Sequence, residues 1–258
     1  MRIMFIPYLP QNPADKESSA RREAKLNQYA SPGTRVDLLY PDEFPGYNIV
    51  TDPLDRQVTP GLVHILCTAG VVSKIVWAQE NGYDAVVQSN TFDAAVEAAR
   101  QAVRIPVVGV TRASLHLGAS LTDAIGMTVP LETHVNYAWQ IVRSYHMESV
   151  VKDIRPIGVY ENADQRRDEI VARNIEVMRS IVEDTRAGCL IPLGGALVPT
   201  LVDPQEIEPA VGVPVLNTNA IGIRFAEMCV QLGLSHTSRT HPSLQLRYED
   251  FSRALQSH

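Results

Sequence analysis

Apolar runs of strand length alternate with helically spaced apolar residues along this chain. Ile3-Met4-Phe5-Ile6 predicts a buried first strand over Arg2 to Pro7, followed by a loop rich in proline and asparagine, Tyr8-Leu9-Pro10-Gln11-Asn12-Pro13. A polar helix over Ala14 to Ala30, a strand over Arg35 to Tyr40 and a loop through Pro41-Asp42-Glu43-Phe44-Pro45-Gly46 come next. From Gly61 onward Leu62, Ile65, Val72, Ile75 and Val76 recur at helical spacing until Asn81-Gly82, a helix stop. A strand at Asp84 to Val87, a helix at Ala94 to Ala102 and a strand at Pro106 to Val110 follow. The pattern then predicts a short helix (Leu115 to Leu121), a strand (Ile125 to Val129) and a long amphipathic helix (Leu131 to Tyr145). Arg155 to Tyr160 reads as a strand, Ala163 to Glu183 as a charged helix and Cys189 to Leu193 as a strand. A short helix at Asp203 to Glu208, a strand at Pro214 to Leu216 and a closing helix at Ala220 to Leu234 complete the order, and the polar tail after Ser235 has little pattern.

Two of these stretches resemble one another. Asp84-Ala85-Val86-Val87-Gln88-Ser89-Asn90-Thr91 leads through a helix to Ile105-Pro106-Val107, and Gly188-Cys189-Leu190-Ile191-Pro192-Leu193-Gly194-Gly195 leads through a helix to Val213-Pro214-Val215. Each is a buried strand, a loop of small or polar residues, a helix and a second strand opening on Ile-Pro or Val-Pro. Repetition of this kind fixes the architecture before any single motif does. It predicts an α/β fold of two pseudo-symmetric Rossmann-like halves, each a four-stranded parallel sheet flanked by helices, with the site between them. The boundaries read as residues 1–114 plus 217–258 for the first half and 115–216 for the second, the closing helix returning to the first.

Composition narrows the functional classes. The 258 residues are 45% hydrophobic and 20% charged, ordinary for a globular protein. A net charge of −6 with no Lys/Arg cluster argues against nucleic acid. The pairs Arg21-Arg22 and Arg166-Arg167 sit among acids and read as solvated helix faces. No run approaches the roughly 18–20 apolar residues of a membrane span, which excludes a membrane partner and makes the cytoplasm the default compartment. The 3 cysteines, Cys67, Cys189 and Cys229, lack CxxC spacing, and the 7 histidines lack metal-ligand spacing, so no metal is expected.

Ligands of open parallel α/β sheets bind outside the carboxyl ends of the strands. That rule selects the loops Tyr8 to Asn12, Ser89-Asn90-Thr91, Thr111-Arg112-Ala113-Ser114, Gly194-Gly195-Ala196 and Asn217-Thr218-Asn219. Their amides and hydroxyls suit a small carboxylate or cyclic amide. Ser89, Thr91 and Asn219 each fit two roles, helix N-cap or ligand contact; as a set the loops favour a ligand. Gln11, Asn12, Ser89, Thr91, Arg112, Gly194, Gly195, Ala196, Asn217 and Thr218 are the candidate binding residues. Arg112 fits a bidentate carboxylate clamp and equally an ordinary helix-surface arginine.

Four stretches carry a family resemblance. They are Gly82-Tyr83-Asp84-Ala85-Val86-Val87 with the helix Ala95 to Val103, Ile105-Pro106-Val107-Val108-Gly109-Val110 before Arg112-Ala113-Ser114, Leu193-Gly194-Gly195-Ala196, and Gly233-Leu234 before Thr237-Ser238-Arg239. On these the chain resembles the aspartate/glutamate/hydantoin racemase superfamily and most of all its hydantoin-racemase branch, and the resemblance extends over most of its length. The resemblance implies a cofactor-independent enzyme acting on a small molecule, and a homo-oligomer, since those are common in the superfamily. Family racemases place one cysteine from each half on opposite faces of the substrate carbon, as base and acid. Here the matched positions are Asn90 and Gly195, neither of which exchanges a proton near pH 7. The N-terminal loop departs as well, reading Leu9-Pro10-Gln11-Asn12 where the family has Pro-Asn-Thr.

The remaining cysteines do not fill the gap. Cys189 lies at the far end of the strand that leads to Gly195, about 20 Å away at ~3.3 Å per residue, and Cys67 and Cys229 fall in apolar helical surroundings. The replacement acid or base is therefore sought among Tyr8, Asp93, Tyr160, Glu161 and His116, with Asn90 as an oxyanion-hole donor. Tyr8 and Tyr160 follow strands in the two halves, and Glu161 and Asp93 also fit helix-start acids. The expected activity is a divergent one, a lyase or decarboxylase passing through an enolate or a hydrolase opening a cyclic amide. Racemisation by groups other than cysteine and a non-catalytic small-molecule-binding protein are the alternatives.

Overall fold

The computed structural model describes residues 1–11, 16–43 and 60–256. Asn12, the expected helix start at Ala14 and the Phe44-Pro45-Gly46 turn lie outside the described residues. The chain divides into two compact units. One is made from the N-terminal segment, Gly61–Val110 and Gly222–His258, and the other mainly from Thr111–Ile221.

In the first unit, four parallel strands stand in the order β2-β1-β3-β4, with β1 Arg2–Ile6, β2 Arg35–Leu38, β3 Ala85–Gln88 and β4 Val107–Gly109. Helices α1 (Lys16–Tyr29), α2 (Pro60–Glu80) and α3 (Val96–Arg100) connect them. The register pairs Ile6 with Gln88 and Gln88 with Gly109, so the ends of β1, β3 and β4 lie level. Strand side chains Met4, Ile6, Val86 and Val107 pack with Val71, Ile75 and Val76 of α2. Helix α2 is long and apolar enough over Gly61–Glu80 to cross a membrane, which corrects the expectation that no such run exists. Its Val63, Val71, Ile75 and Val76 are buried in the core.

In the second unit, three parallel strands stand in the order β6-β5-β7, with β5 Ile125–Val129, β6 Val151–Pro156 and β7 Cys189–Pro192. This repeats the order of the first sheet, but the expected fourth strand contributes only one bridge, Leu190 to Val215. Two hydrogen bonds flank it, Leu190 N–H to Pro214 O at 2.9 Å and Leu216 N–H to Leu190 O at 2.8 Å. Pro214 offers no N–H to extend the ladder, and Gly212 at φ 77° and the helix starting at Thr218 leave no room for more.

Helices α4 (Val110–Leu121), α5 (Glu132–Ser144), α6 (Arg167–Thr185) and α7 (Pro204–Val211) and short helical segments at Ala163–Arg166 and Ala196–Leu201 belong to this half of the sequence. The strand expected at Arg155 to Tyr160 begins earlier, at Val151, and ends at Pro156. Its charges hide it: β6 is an edge strand, where charged residues are tolerated, and Arg155 bridges Asp153 and Asp184 at 2.6 and 2.7 Å.

Helix α8 (Thr218–Gln231) closes the fold. Gly222 lets it approach the first sheet, since a Cβ there would stand 2.9 Å from Val87 and Val110. Further along α8, Glu227 is buried and accepts from the Ser31 backbone N–H and hydroxyl, each at 2.8 Å. The supposedly patternless tail forms α9 (Tyr248–Gln256), with Leu246, Tyr248 and Phe251 packed on the first unit's core.

Candidate functional site

The loop leaving β3 is held by its own backbone and side-chain amides. Gln88 is fully buried, and its Oε1 accepts the Asn90 N–H at 3.0 Å. Asn90, half-buried, turns its Oδ1 back to the Phe92 N–H at 2.9 Å, while its carbonyl accepts from Asp93 N–H at 2.8 Å. Ser89 and Thr91 are buried, and Ser89 Oγ accepts from the Arg22 guanidinium at 3.3 Å. Arg22 is thus no solvated charge: it is half-buried, lies 5.5 Å over the Phe5 ring and brings a cation to the strand-end loop. Its sequence neighbourhood carries no sign of this long-range contact.

Asp93 is buried with φ 49°. A Cβ built on Gly109 would fall 2.4 Å from Asp93 Cγ, so the glycine ending β4 makes room for that carboxylate. Tyr8, half-buried past β1, meets the buried His64 of α2 edge-on with ring centroids 4.9 Å apart, and His64 meets Phe92 at 5.6 Å. His64 is an aromatic neighbour of the loop that helical periodicity alone had placed simply on α2. Gln11 lies elsewhere, in a cleft of about 400 Å³ with Ser19, Tyr40, Glu23 and Lys74, donating to Ser19 Oγ at 3.3 Å.

In the second unit, Thr111-Arg112-Ala113-Ser114 is not a loop. Helix α4 starts at Val110, directly out of β4, which makes these residues its first turn. The Arg112 guanidinium lies 5.0 Å over the Tyr145 ring. His116 is exposed, its Nδ1 hydrogen-bonded to the Arg112 carbonyl at 2.8 Å. Tyr160 packs on the second unit's core and Glu161 is exposed. With β6 ending at Pro156, neither follows a strand directly as expected.

After β7, Gly194 takes φ 109° and its Cβ position is only 2.7 Å from Pro130 Cγ, a place for glycine alone. Gly195 is buried and Ala196 exposed. The Gly195 carbonyl accepts from Thr200 Oγ1, which in turn accepts from Asn219 Nδ2 at 3.4 Å. Asn217 caps α8 through Oδ1 to the Ala220 N–H at 3.0 Å. Thr218 Oγ1 and Asn219 Oδ1 are buried without a hydrogen-bond partner among the described residues.

The three thiols lie at the start of a strand and within two helices. Cys189 begins β7, fully buried, and burial pushes its thiol up to about 11. Cys67 is buried in α2, and the half-buried Cys229 of α8 is also raised by burial. Among the described residues no three His, Cys, Asp or Glu side chains are grouped to hold a metal ion.

Residues 5–226 match the family described as Asp/Glu/Hydantoin racemase. The chain belongs to this family and aligns with its hydantoin-racemase branch. A hydantoin racemase of Pseudomonas sp. (strain NS671) is 31% identical over 170 residues, covering 65% of this chain and 67% of that protein. Among solved structures, an allantoin racemase from Pseudomonas fluorescens superposes with a TM-score of 0.81 at 18% identity, over 96% of this chain and 98% of its own. An arylmalonate decarboxylase superposes at 0.56 and 19% identity, over 89% and 92%. At these identities the structural likenesses establish the shared fold.

Proposed function

We propose that this protein is a cofactor-independent enzyme that acts on a hydantoin-type cyclic amide and opens the ring with water instead of racemising it with two thiols. One observation carries the substrate class. Asn219 commits its Nδ2 to Thr200, leaving a buried Oδ1 that needs an N–H donor, and the neighbouring Thr218 hydroxyl is also unmatched. Buried polar atoms without partners are costly, of order 1–3 kcal/mol each, and a bound ligand is one partner that can complete their bonding. A ring amide offers an N–H to Asn219 and a carbonyl to Thr218. A simple carboxylate has no proton for Asn219 at neutral pH.

Support for a route without thiols comes from Asn90 and Gly195 at the matched cysteine positions and from the raised thiol of Cys189. Attack of water on an amide carbonyl needs a base and oxyanion donors. Within the first unit the candidates for such a base are Asp93, its carboxylate buried beside Gly109, and Tyr8. A second reading, racemisation by groups other than cysteine, is favoured by the 31% identity to a hydantoin racemase.

Binding tests the substrate class directly. Thr218→Val and Asn219→Leu should each weaken calorimetric binding of a 5-monosubstituted hydantoin about tenfold, the loss of one ~1.4 kcal/mol hydrogen bond. Asn219→Leu should leave binding of a small carboxylate unchanged, since a carboxylate has no proton to give its Oδ1. Unaltered hydantoin affinity in both variants would remove the basis for a cyclic-amide substrate.

A further inference from the structure

We propose that Gln88, with Asn90, forms a donor pair for a ligand oxygen, and that this amide pair stands where the family's first thiol would be. Gln88 closes an apolar run and, read as a sequence, is only the last rung of β3. Its side chain is fully buried, yet Nε2 has no acceptor among the described residues.

The orientation of both amides is fixed by backbone donors. The Asn90 N–H requires an acceptor, so Gln88 must present Oε1 to it and Nε2 elsewhere. The Phe92 N–H likewise holds Asn90 Oδ1, which leaves the amino group as the remaining hydrogen-bonding end of that side chain. Flipping either amide would set N–H against N–H. The loop therefore carries two amino groups whose carbonyl ends are both consumed, and one of them is a buried orphan. An orphan NH2 calls for an acceptor oxygen. A thiol at position 90 would exchange a proton; this pair can only donate hydrogen bonds, which suits a carbonyl, carboxylate or developing oxyanion. A ring carbonyl and a free carboxylate share that chemistry, and the test separates them.

The test follows the side-chain NH2 signals of Gln88 and Asn90 in ¹⁵N-labelled full-length protein, assigned with Gln88→Met and Asn90→Ser. One titration uses a 5-monosubstituted hydantoin and the other acetate. The expected result is a saturable downfield shift of the Gln88 NH2 protons, with Asn90 following the same midpoint and Gln88→Met weakening that midpoint at least tenfold. A response to hydantoin identifies a ring carbonyl, and a response to acetate alone identifies a carboxylate. Silence of the Gln88 NH2 signals with both probes overturns the inference, as does unchanged affinity in Gln88→Met. The wild-type titration decides the matter even if a variant fails to fold. The Asn219 side-chain signal separates the two hypotheses. If it moves with hydantoin while Gln88 stays silent, the cyclic-amide reading stands and the donor pair falls. If Gln88 moves with acetate while Asn219 ignores hydantoin, the donor pair stands and that reading falls.

Discussion

Substituting Gly109 by alanine tests how the Asp93 carboxylate is seated. The added Cβ would lie 2.4 Å from Asp93 Cγ and 2.6 and 2.7 Å from its two oxygens. Carbon atoms in contact prefer about 3.5–4.0 Å, so the carboxylate must retreat by roughly 1 Å or more. Little slack is available: Asp93 is 6% exposed, its N–H is bonded to Asn90 O at 2.8 Å, and its own carbonyl accepts from Val96 at 3.2 Å. Overpacking of this kind costs about 1–3 kcal/mol, or about 2–4 °C in Tm per kcal/mol for a chain of this size. Because the clash is with one side chain, Asp93→Ala should relieve it. Urea unfolding of wild type, Gly109→Ala, Asp93→Ala and the double variant should give a coupling above about 1 kcal/mol. A Gly109→Ala cost below about 0.5 kcal/mol, or an equal cost in both backgrounds, would refute the seating argument.

Asp37 and Tyr83 should shape the stability profile at opposite ends of the pH scale. Burial pushes the Asp37 carboxyl up, but hydrogen bonds from Tyr83, Arg35 and Arg2 outweigh it and hold the group below its ordinary value. Its contribution is therefore present above the unfolded value and lost as pH falls through the lower folded one, so Asp37→Asn should flatten the acid arm below about pH 4. Burial and the bond to Asp37 raise Tyr83 to about 12. That contribution is full below about pH 10 and lost on rising toward 12, so Tyr83→Phe should flatten the alkaline arm in thermal melts. Iodoacetamide at neutral pH should leave Cys67 and Cys189 unmodified in the folded protein and leave turnover intact; inactivation following alkylation would return the chemistry to a thiol. Replacing Gly126 with alanine should cost about 1–3 kcal/mol, because the new Cβ would meet Ile181 Cγ2 at 2.4 Å and Leu190 Cδ2 at 2.8 Å. An unchanged urea midpoint would contradict the packing described between β5 and its neighbours.

Local signals made most of the architecture legible. The apolar runs at Ala85–Gln88 and Cys189–Pro192 became the parallel strands β3 and β7, and Asn81-Gly82 ended α2 because Gly82 adopts φ 73°. What the sequence could not display was set by distant partners. Strand β6 carries Lys152, Asp153 and Arg155, charges that read as loop until Asp184 and Ser180 of α6 are seen to bind Arg155. Helix α9 exists because Tyr248 and Phe251 find the first unit's core, far away in sequence. The strand-end rule alone selects the loop of Asn90 in one unit and that of Thr218 and Asn219 in the other. Arg22 on Ser89, His64 on Tyr8, and Asp93 over Gly109 were not legible, because each pairs residues that no periodicity links. The orphan amino group of Gln88 was hidden for a different reason: a polar residue ending an apolar run has the same appearance whether or not its amide finds an acceptor.

The central claim is chemistry on a hydantoin-type ring without thiols, and its most direct test is turnover in D₂O. A single enantiomer of a 5-monosubstituted hydantoin would be incubated with the protein and followed by NMR and chiral chromatography. The expected product is the ring-opened N-carbamoyl acid, with no deuterium at the α-carbon and optical purity retained. Deuterium at that carbon with loss of optical purity, the ring intact, would contradict the account and establish racemisation by another pair of groups.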